Sequence, residues 1–480
     1  MRKISLFLII VLAFPLLVFS GCGNGDKITA YTINASFNSA EMSLTADQKV
    51  NYINNSGTEL SALKFNLFPA AFRKDSAFKP VSNANILRAY PGGMSYGDIK
   101  IQNVRLDGKT ADYVICGQDQ NILQINLPKK LGKGAAAVIE MDFKLSLPNV
   151  LHRFGYNQKT VNFGNWYPIM CAYANGGFYE CEYYANGDPF FSDVADYEVN
   201  ITYPGDYKIA SSGETVSQNA SASKTTVFTK MTKARDYAFV LSKDFSVKTA
   251  SVLGTKINYF YYGDEAPEKS LKIAEESLKY FSATIGEYPY KELSVVETGF
   301  IYGGMEYSGL VFISDALAEK EYKEVIVHEI AHQWWYSAVG NNQLEEGYID
   351  EGLAEYSTLL FFENNPQYEK TRAKMIKDTQ GTYKIFYGIY NQVFGKADTT
   401  MNRKLDKFGS EFEYVSIAYV KGCLMFESLR QFSGDKMFFA FLKNLYRDNK
   451  FMIIGGEDLI KTAGSGGGII RSFIDGTVIL

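Results

Sequence analysis

The 480-residue sequence is poor in histidine and cysteine, and it has no block of like charge. Of its three histidines, His152 lies far upstream of the other two in a β-rich segment, which argues against a metal site of three imidazoles. None of its five cysteines shows the spacing of a structural zinc site. Because the net charge is only −4, we predict no nucleic-acid partner and no polybasic membrane-binding patch.

Long apolar runs are also scarce, and the one that occurs follows two basic residues at the N-terminus, over residues 4–20. Its short length and small-residue end predict a cleaved signal peptide, not a membrane-spanning helix. The sequence Phe19-Ser-Gly-Cys22 resembles a bacterial lipobox, although Phe19 stands where Leu is usual. We predict a lipoprotein signal peptide at 1–21, a tether at 22–27 and a lipid on Cys22 that anchors the protein outside a bacterial cell membrane. An ordinary secretory signal is the alternative.

The remaining chain is long enough for two domains, and its hydrophobic periodicity changes near residue 250. Residues 28–250 alternate apolar and polar side chains between turn signals, which predicts an antiparallel β-domain. From about residue 266 the period is helical, with predicted helices at 267–281, 415–432 and 436–446, strands at 293–298 and 310–313, and a loop at 464–468. Residues 251–480 are therefore predicted to form an α+β, mostly helical domain.

Two of the cysteines, Cys171 and Cys181, flank a turn-like stretch that could close a hairpin. Export would permit a disulfide between them. Buried free thiols are the alternative, and the sequence leaves both open.

The most informative stretch is an H-E-x-x-H motif formed by His328, Glu329 and His332. Residues 322–335 contain no Gly or Pro and predict one apolar helix, on which the two histidines share a face. Glu351 follows His332 by 19 residues, in a predicted second helix with Asp350 as its N-cap. Two imidazoles and one carboxylate, with a fourth position for water, are typical of hydrolytic zinc. An amphipathic helix with two hydrogen-bonded histidines is the alternative.

This ligand set predicts one Zn²⁺ that polarises a peptide carbonyl and lowers the pKa of bound water toward about 7. Glu329 is the predicted general base, which takes the water proton and passes it to the leaving amine. Glu355 lies four residues beyond Glu351 and is predicted to accept the outer N–H of a ligating histidine.

Together these motifs resemble the M1 family of zinc metallopeptidases, of the aminopeptidase N type. Gly303-Gly-Met-Glu-Tyr307 matches the first four positions of the family's G-x-M-E-N loop, and Tyr419-Val-Lys-Gly422 resembles its Y-x-K-G. Two further segments, Asn165-Trp-Tyr-Pro168 and Gly187-Asp-Pro-Phe-Phe191, look like landmarks of its N-terminal β-domain.

The resemblance implies a thermolysin-like catalytic domain at 251–480 and an aminopeptidase acting on peptides with a free N-terminus. In this reading Glu306 binds the substrate's α-amine, Gly303, Gly304 and Met305 belong to the substrate-binding edge strand, and Tyr419 steadies the oxyanion. Tyr307 departs from the family's Asn, so a zinc endopeptidase without a free-amine requirement is one alternative. A non-catalytic surface-binding lipoprotein is another.

The chain ends 61 residues after Tyr419, where longer relatives of the family carry a large helical domain. The resemblance therefore implies a short form with a more open cleft that admits longer peptides. The sequence does not indicate the oligomeric state or the preferred N-terminal residue.

Overall fold

The computed structural model describes residues 28–478 of the chain. The predicted signal peptide, tether and Cys22 lie outside these residues. Within the described range, each helix is too short or too polar to cross a membrane.

The N-terminal half of this range consists of short and medium strands with few helical turns. Its strands are β1 Ala30–Asn38, β2 Ser43–Ile53, β3 Leu60–Asn66, β4 Asp98–Leu106, β5 Lys109–Thr110, β6 Tyr113–Cys116, β7 Ile122–Leu131, β8 Ala136–Ser146, β9 Phe154–Tyr156, β10 Val161–Phe163, β11 Ile169–Met170, β12 Tyr173–Ala174, β13 Gly177–Phe178, β14 Ala195–Pro204, β15 Lys208–Ser211, β16 Glu214–Ala220, β17 Lys224–Ala234 and β18 Phe239–Ser242. Two 3₁₀ helices, Phe68–Phe72 and Asn83–Asn85, and the helical turn α1, Ile86–Ala89, lie between β3 and β4.

These strands form an eight-stranded sheet in the order β16-β17-β14-β1-β2-β8-β4-β5, with two four-stranded sheets, β15-β18-β10-β9 and β11-β3-β7-β6, and the hairpin β12-β13. Alternate residues of β1, such as Ile33 and Phe37, are buried, as the period-two pattern predicts. The predicted β-domain is confirmed, with one difference in strand direction. Strand β1 pairs with β14 in parallel, because a long connection brings β14 to the free edge of β1 and alternation carries no information about direction.

The second half combines one mixed sheet with helices. Its elements are β19 Ser246–Val252, β20 Thr255–Tyr261, α2 Pro267–Thr284, β21 Glu292–Thr298, β22 Gly304–Met305, β23 Leu310–Ser314, α3 Glu319–Ala331, α4 Gln343–Glu346, α5 Tyr348–Asn364, α6 Arg372–Phe394, α7 Glu411–Val415, a π-helical segment Ser416–Lys421, α8 Gly422–Ser433, α9 Asp435–Asn449, α10 Gly456–Ala463 and α11 Gly467–Ile474. Short 3₁₀ helices occur at Pro366–Tyr368, Leu405–Lys407 and Gly464–Gly466.

The sheet of this half has the order β19-β20-β21-β23-β22, so β22 lies at its edge. It begins with β19, and the domain boundary predicted between residues 250 and 251 falls inside that strand. The late loop predicted at 464–468 is partly wrong, because α11 begins at Gly467. The glycines predict a loop, but the helix begins among them because the apolar residues that follow, including Ile470 and Phe473, are buried against the core.

The hairpin β12–β13 forms between Cys171 and Cys181 as the turn signal predicts. Both cysteines are nevertheless buried free thiols, and so the bridge hypothesis is wrong. The amide of Asn66 donates to the sulfur of Cys181 at 3.6 Å, which gives that thiol a polar neighbour of its own.

Candidate metal centre and active site

The H-E-x-x-H motif lies at the C-terminal end of α3, which ends at Ala331 and not at Trp335 as predicted. His332 follows directly, and its N–H still donates to the carbonyl of His328 at 3.2 Å. The chain then turns back, so that Nδ1 of His332 lies 2.9 Å from the carbonyl oxygen of Trp335. This contact ends the helix and holds the ring with Nε2 toward the cleft.

The start of the helix that carries the ligand Glu351 also differs from its prediction. Helix α5 begins at Tyr348, so Asp350 lies inside the first turn and is not an N-cap. Its carboxylate is buried and accepts from Nδ2 of Asn341 at 2.8 Å and from Nε2 of Gln343 at 2.7 Å. These side chains satisfy Asp350 from outside the helix, while its neighbour Glu351 turns toward α3.

The structure brings His328, His332 and Glu351 together at one point. The Nε2 atoms of His328 and His332 are 3.0 Å apart. Oε2 of Glu351 lies 3.3 Å from Nε2 of His328 and 3.2 Å from Nε2 of His332. Ligand atoms on a tetrahedral zinc about 2.0 to 2.1 Å away are separated by about 3.3 Å. Oε2 of Glu351 is buried and has no conventional hydrogen-bond partner among residues 28–478. The donor set therefore fits Zn²⁺, which would satisfy this oxygen.

The charges of the site are set by burial and by one another. Burial alone would raise the pKa of Glu351, but the two imidazoles lower it to about 2, so this ligand is an anion. In the absence of a metal ion, burial raises the pKa of Glu329 to about 7. A carboxylate with a pKa near neutrality can both accept and return a proton.

Glu329 lies between the ligands and the loop at β22. Its Oε2 is buried without a hydrogen-bond partner in the described chain, as expected of a carboxylate oxygen that binds a water molecule. A methyl group on Gly304 would overlap the Glu329 carboxylate. Glycine is therefore required at this position so that the edge strand and the acid can approach each other.

Tyr419 lies in the π-helical segment that joins α7 and α8. Its hydroxyl donates to Oε1 of Glu351 at 2.6 Å, and its ring is parallel to that of His328 with centroids 5.9 Å apart. A π-helical turn widens the helix by one residue and is frequent at functional sites. Here it brings a hydroxyl donor to the edge of the ligand set.

Glu355 lies one turn beyond Glu351 on α5, and its Oε1 is 3.5 Å from Nδ1 of His328. The distance is long for a hydrogen bond, but the carboxylate is on the outer side of the ring, where the sequence predicts it. The corresponding partner of His332 is the carbonyl of Trp335, a main-chain contact that side-chain spacing cannot predict.

A cleft of about 640 Å³ runs over these residues and is also lined by Gly303, Gly304 and Glu306. Glu306 is 3% exposed, and one of its carboxylate oxygens lies within 4.8 Å of a ring nitrogen of His332. Its Oε1 accepts from Nε2 of Gln343 at 2.9 Å. The structure thus places an acidic side chain directly beside the ligand cluster.

The neighbours of Glu306 point away from the cleft. Met305 is fully buried, and its sulfur lies 2.9 Å from Nε of Arg153. Tyr307 is also fully buried, and its hydroxyl donates to Oδ1 of Asn165 at 3.1 Å. The tyrosine that departs from the family's asparagine therefore packs under the loop and forms no part of the cleft wall.

Arg153 and Asp188 form an ion pair at the floor of the cleft, which no motif of the sequence predicts. Both side chains are buried, and the guanidinium also lies over the rings of Phe190 and Tyr302. Asp188 belongs to the segment Gly187-Asp-Pro-Phe-Phe191, which resembles a landmark of the family, and no spacing rule connects it with Arg153. The third histidine, His152, is buried among aromatic rings such as those of Phe72 and Tyr302 and does not line this cleft.

This fold and this ligand set are typical of zinc metallopeptidases. Residues 269–476 match the model of the peptidase family M1 domain. Over these 208 of its 480 residues the chain is similar to the peptidases of family M1, in agreement with the resemblance drawn from its motifs.

Individual relatives agree with this assignment. The chain is 27% identical to human aminopeptidase B over 207 residues, which are 41% of this chain and 31% of that protein. It is 31% identical to aminopeptidase 2 of Candida albicans over 102 residues, which are 18% of this chain and 11% of the relative. The chain thus matches about a third or less of the length of these relatives.

The fold is similar to that of an M1 zinc metallopeptidase from Deinococcus radiodurans. The TM-score is 0.67 at 16% identity, and the match covers 95% of this chain and 96% of that one. A mutant of that protein bound to a Tyr-Ser-Ala substrate matches with a TM-score of 0.65 at 15% identity, over 94% of this chain and 95% of the other. This likeness confirms the two-part fold of a β-domain followed by a largely helical domain.

Proposed function

We propose that this protein is a zinc-dependent aminopeptidase that removes N-terminal residues from peptides. The observation that carries the proposal is the position of Glu306, whose carboxylate lies within 4.8 Å of the ring of the ligand His332. In a substrate the amino nitrogen and the carbonyl carbon of the first residue are only about 2.5 Å apart. An ammonium group held by Glu306 therefore places the first peptide bond, and no later one, at the metal centre.

His328, His332 and Glu351 would hold the zinc. When bound, Zn²⁺ would polarise the scissile carbonyl and acidify a water molecule. Glu329 accepts the proton of that water and later gives it to the nitrogen of the leaving peptide. The hydroxyl of Tyr419, which donates to Oε1 of Glu351 in this structure, would turn to the carbonyl oxygen as negative charge develops on it. Main-chain groups of the edge strand β22 are available to pair with an extended peptide.

The relatives support aminopeptidase activity in general, but not the roles proposed for individual residues. The matched proteins from human and Candida albicans are named aminopeptidases, and a mutant of the Deinococcus protein is described with a tripeptide substrate. The intact ligand set and the acid at Glu329 favour catalysis over a purely binding role.

A screen of aminoacyl fluorogenic substrates, with and without a chelator, tests the activity. We expect cleavage that the chelator abolishes and added Zn²⁺ restores. Matched peptides with free and acetylated N-termini then test the exopeptidase assignment, together with Glu306→Gln, which should reduce the preference for the free amine by about 10- to 100-fold. Equal cleavage of both peptides by the wild type would instead indicate a zinc endopeptidase. A complete lack of turnover in metal-loaded protein would favour the non-catalytic surface-binding lipoprotein.

We further propose that the protein is a lipoprotein, anchored through Cys22 to the outer side of a bacterial cell membrane. The support is the sequence of residues 1–22 alone. Expression with a labelled fatty acid, followed by membrane fractionation, tests it. Cys22→Ser should abolish labelling and release the protein from the membrane fraction, and an unlabelled wild type would rule the anchor out.

A further inference from the structure

Gln343 lies between two buried carboxylates at the amine end of the cleft. Its Nε2 donates to Oε1 of Glu306 at 2.9 Å and to Oδ2 of Asp350 at 2.7 Å. The three side chains are between 1% and 3% exposed, so water does not compete for these contacts. A side-chain amide has two N–H donors, and both are used here on carboxylates.

The orientation of this amide follows from its neighbours. A carboxylate oxygen that carries no proton only accepts hydrogen bonds, so the amide nitrogen faces Oε1 of Glu306 and Oδ2 of Asp350, and Oε1 of Gln343 faces away. Oε1 of Gln343 is indeed buried without a hydrogen-bond partner within the described chain. Such an unsatisfied acceptor is unfavourable. Within the described residues, the Gln343 amide therefore makes its two hydrogen bonds through Nε2 and none through Oε1.

These contacts connect two parts of the candidate site. Glu306 follows the edge strand β22, whereas Asp350 lies in the first turn of α5, next to the ligand Glu351. Nδ2 of Asn341 also donates to Oδ1 of Asp350 at 2.8 Å, but its other hydrogen bond goes to the main-chain carbonyl of Glu346. Gln343 therefore joins the edge-strand loop to the ligand-bearing turn, and Asn341 supports that turn alone.

We propose that Gln343 is a positioning residue, which fixes the Glu306 carboxylate relative to Glu351 and thereby sets the register in which a free N-terminus meets the metal centre. This inference rests on the proposed aminopeptidase function. It predicts that loss of the amide makes the enzyme less selective for a free amine, because Glu306 is then no longer held at one distance from the ligands.

The test compares Gln343→Met, which keeps the length of the side chain, with Asn341→Leu as the matched control. The measured quantity is the ratio of kcat/KM for a free peptide to that for its N-acetylated form, since general damage lowers both values alike. We expect Gln343→Met to reduce the ratio about tenfold and Asn341→Leu to leave it within about twofold. Zinc content and melting temperature of each variant show that it folds and binds metal. If Gln343→Met does not fold, Gln343→Leu removes the amide in a side chain of similar size and serves the same comparison.

A double-mutant cycle identifies the route of the effect. In a Glu306→Gln background, the Gln343 substitution should change the ratio no further, because the group it positions has lost its charge. An additional tenfold loss there would overturn the inference. So would an unchanged ratio in the single variant while Glu306→Gln reduces it. A wild type without any free-amine preference would instead refute the proposed function, so the two failures are distinguishable.

Discussion

The two ends of the cleft are constructed differently. At the metal end, His328 and Glu329 lie in the last turn of α3, His332 follows that helix directly, and Glu351 comes from the first turn of α5. At the amine end, Glu306, Gln343 and Asp350 come from three separate segments joined by hydrogen bonds. Helical geometry alone brings His328 and His332 onto one face, whereas only tertiary contacts bring Glu306, Gln343 and Asp350 together.

This difference indicates how each end responds to substitution. Changes at the metal end should act on the chemical step or on metal affinity, and they should affect all substrates alike. Changes at the amine end should act on the choice of substrate. Four substitutions test this distinction, and their expected effects decrease from the first to the last.

Substitution Glu329→Gln should lower kcat by about 10² to 10⁴-fold while zinc content is unchanged, because the amide cannot accept the water proton. Steady-state kinetics and elemental analysis measure the two quantities. Glu319→Gln, at an exposed position in the first turn of the same helix, is the control and should remain within about twofold. A Glu329→Gln variant that retains wild-type kcat would show that another group is the base.

Tyr419→Phe should lower kcat by about 10² to 10³-fold, because it removes one donor to the developing oxyanion. The loss should be equal for free and acetylated peptides, since Tyr419 contacts the metal end through Glu351. Tyr383→Phe removes a buried hydroxyl without a hydrogen-bond partner in the described chain and should leave kcat unchanged. A loss confined to free peptides would contradict the division between the two ends.

Gly304→Ala should lower kcat by up to about 10²-fold, because the added methyl group displaces the Glu329 carboxylate from its position. Gly303→Ala is the matched control, since a methyl group there would meet only Val325 at 3.4 Å. Kinetics of the two variants, with their melting temperatures, separate displacement from unfolding. Equal behaviour of the two variants would mean that the edge strand and Glu329 are not in close contact.

Glu355→Gln should weaken zinc binding about tenfold, with a smaller effect on kcat of the fully loaded enzyme. This tenfold loss of zinc affinity is at the low end for a residue that supports a metal-ligating histidine. Oε1 of Glu355 lies 3.5 Å from Nδ1 of His328, and the Glu355 side chain is 40% exposed. Competition with a chromogenic chelator measures the affinity. An unchanged zinc Kd would assign the support of His328 to other groups.

The metal end could be predicted largely from the sequence, since His328 and His332 share a helix face at their spacing and few other residues could complete the site. The point at which α3 ends could not, because it depends on the contact between His332 and the carbonyl of Trp335. The N-cap predicted at Asp350 is wrong for a related reason. Asn341 and Gln343, which satisfy this carboxylate from outside the helix, are seven to nine residues away.

Strand periodicity likewise predicted the β-domain but neither the parallel pairing of β1 with β14 nor the free thiols at Cys171 and Cys181. Alternation reports which face of a strand is buried, and it carries no information about the identity of its neighbours. The ion pair of Arg153 with Asp188 is missing from the sequence analysis because 35 residues separate its partners.

By itself, the amino-acid sequence determined which segments form most helices and strands, which histidines bind the metal and which acid lies beside them, because these depend on spacings of a few residues. Tertiary structure alone decided that Tyr307 packs beneath its loop and that Gln343 joins Glu306 to Asp350. Such contacts connect residues far apart in the chain, and their partners become defined only when strands and helices pack against each other and exclude water.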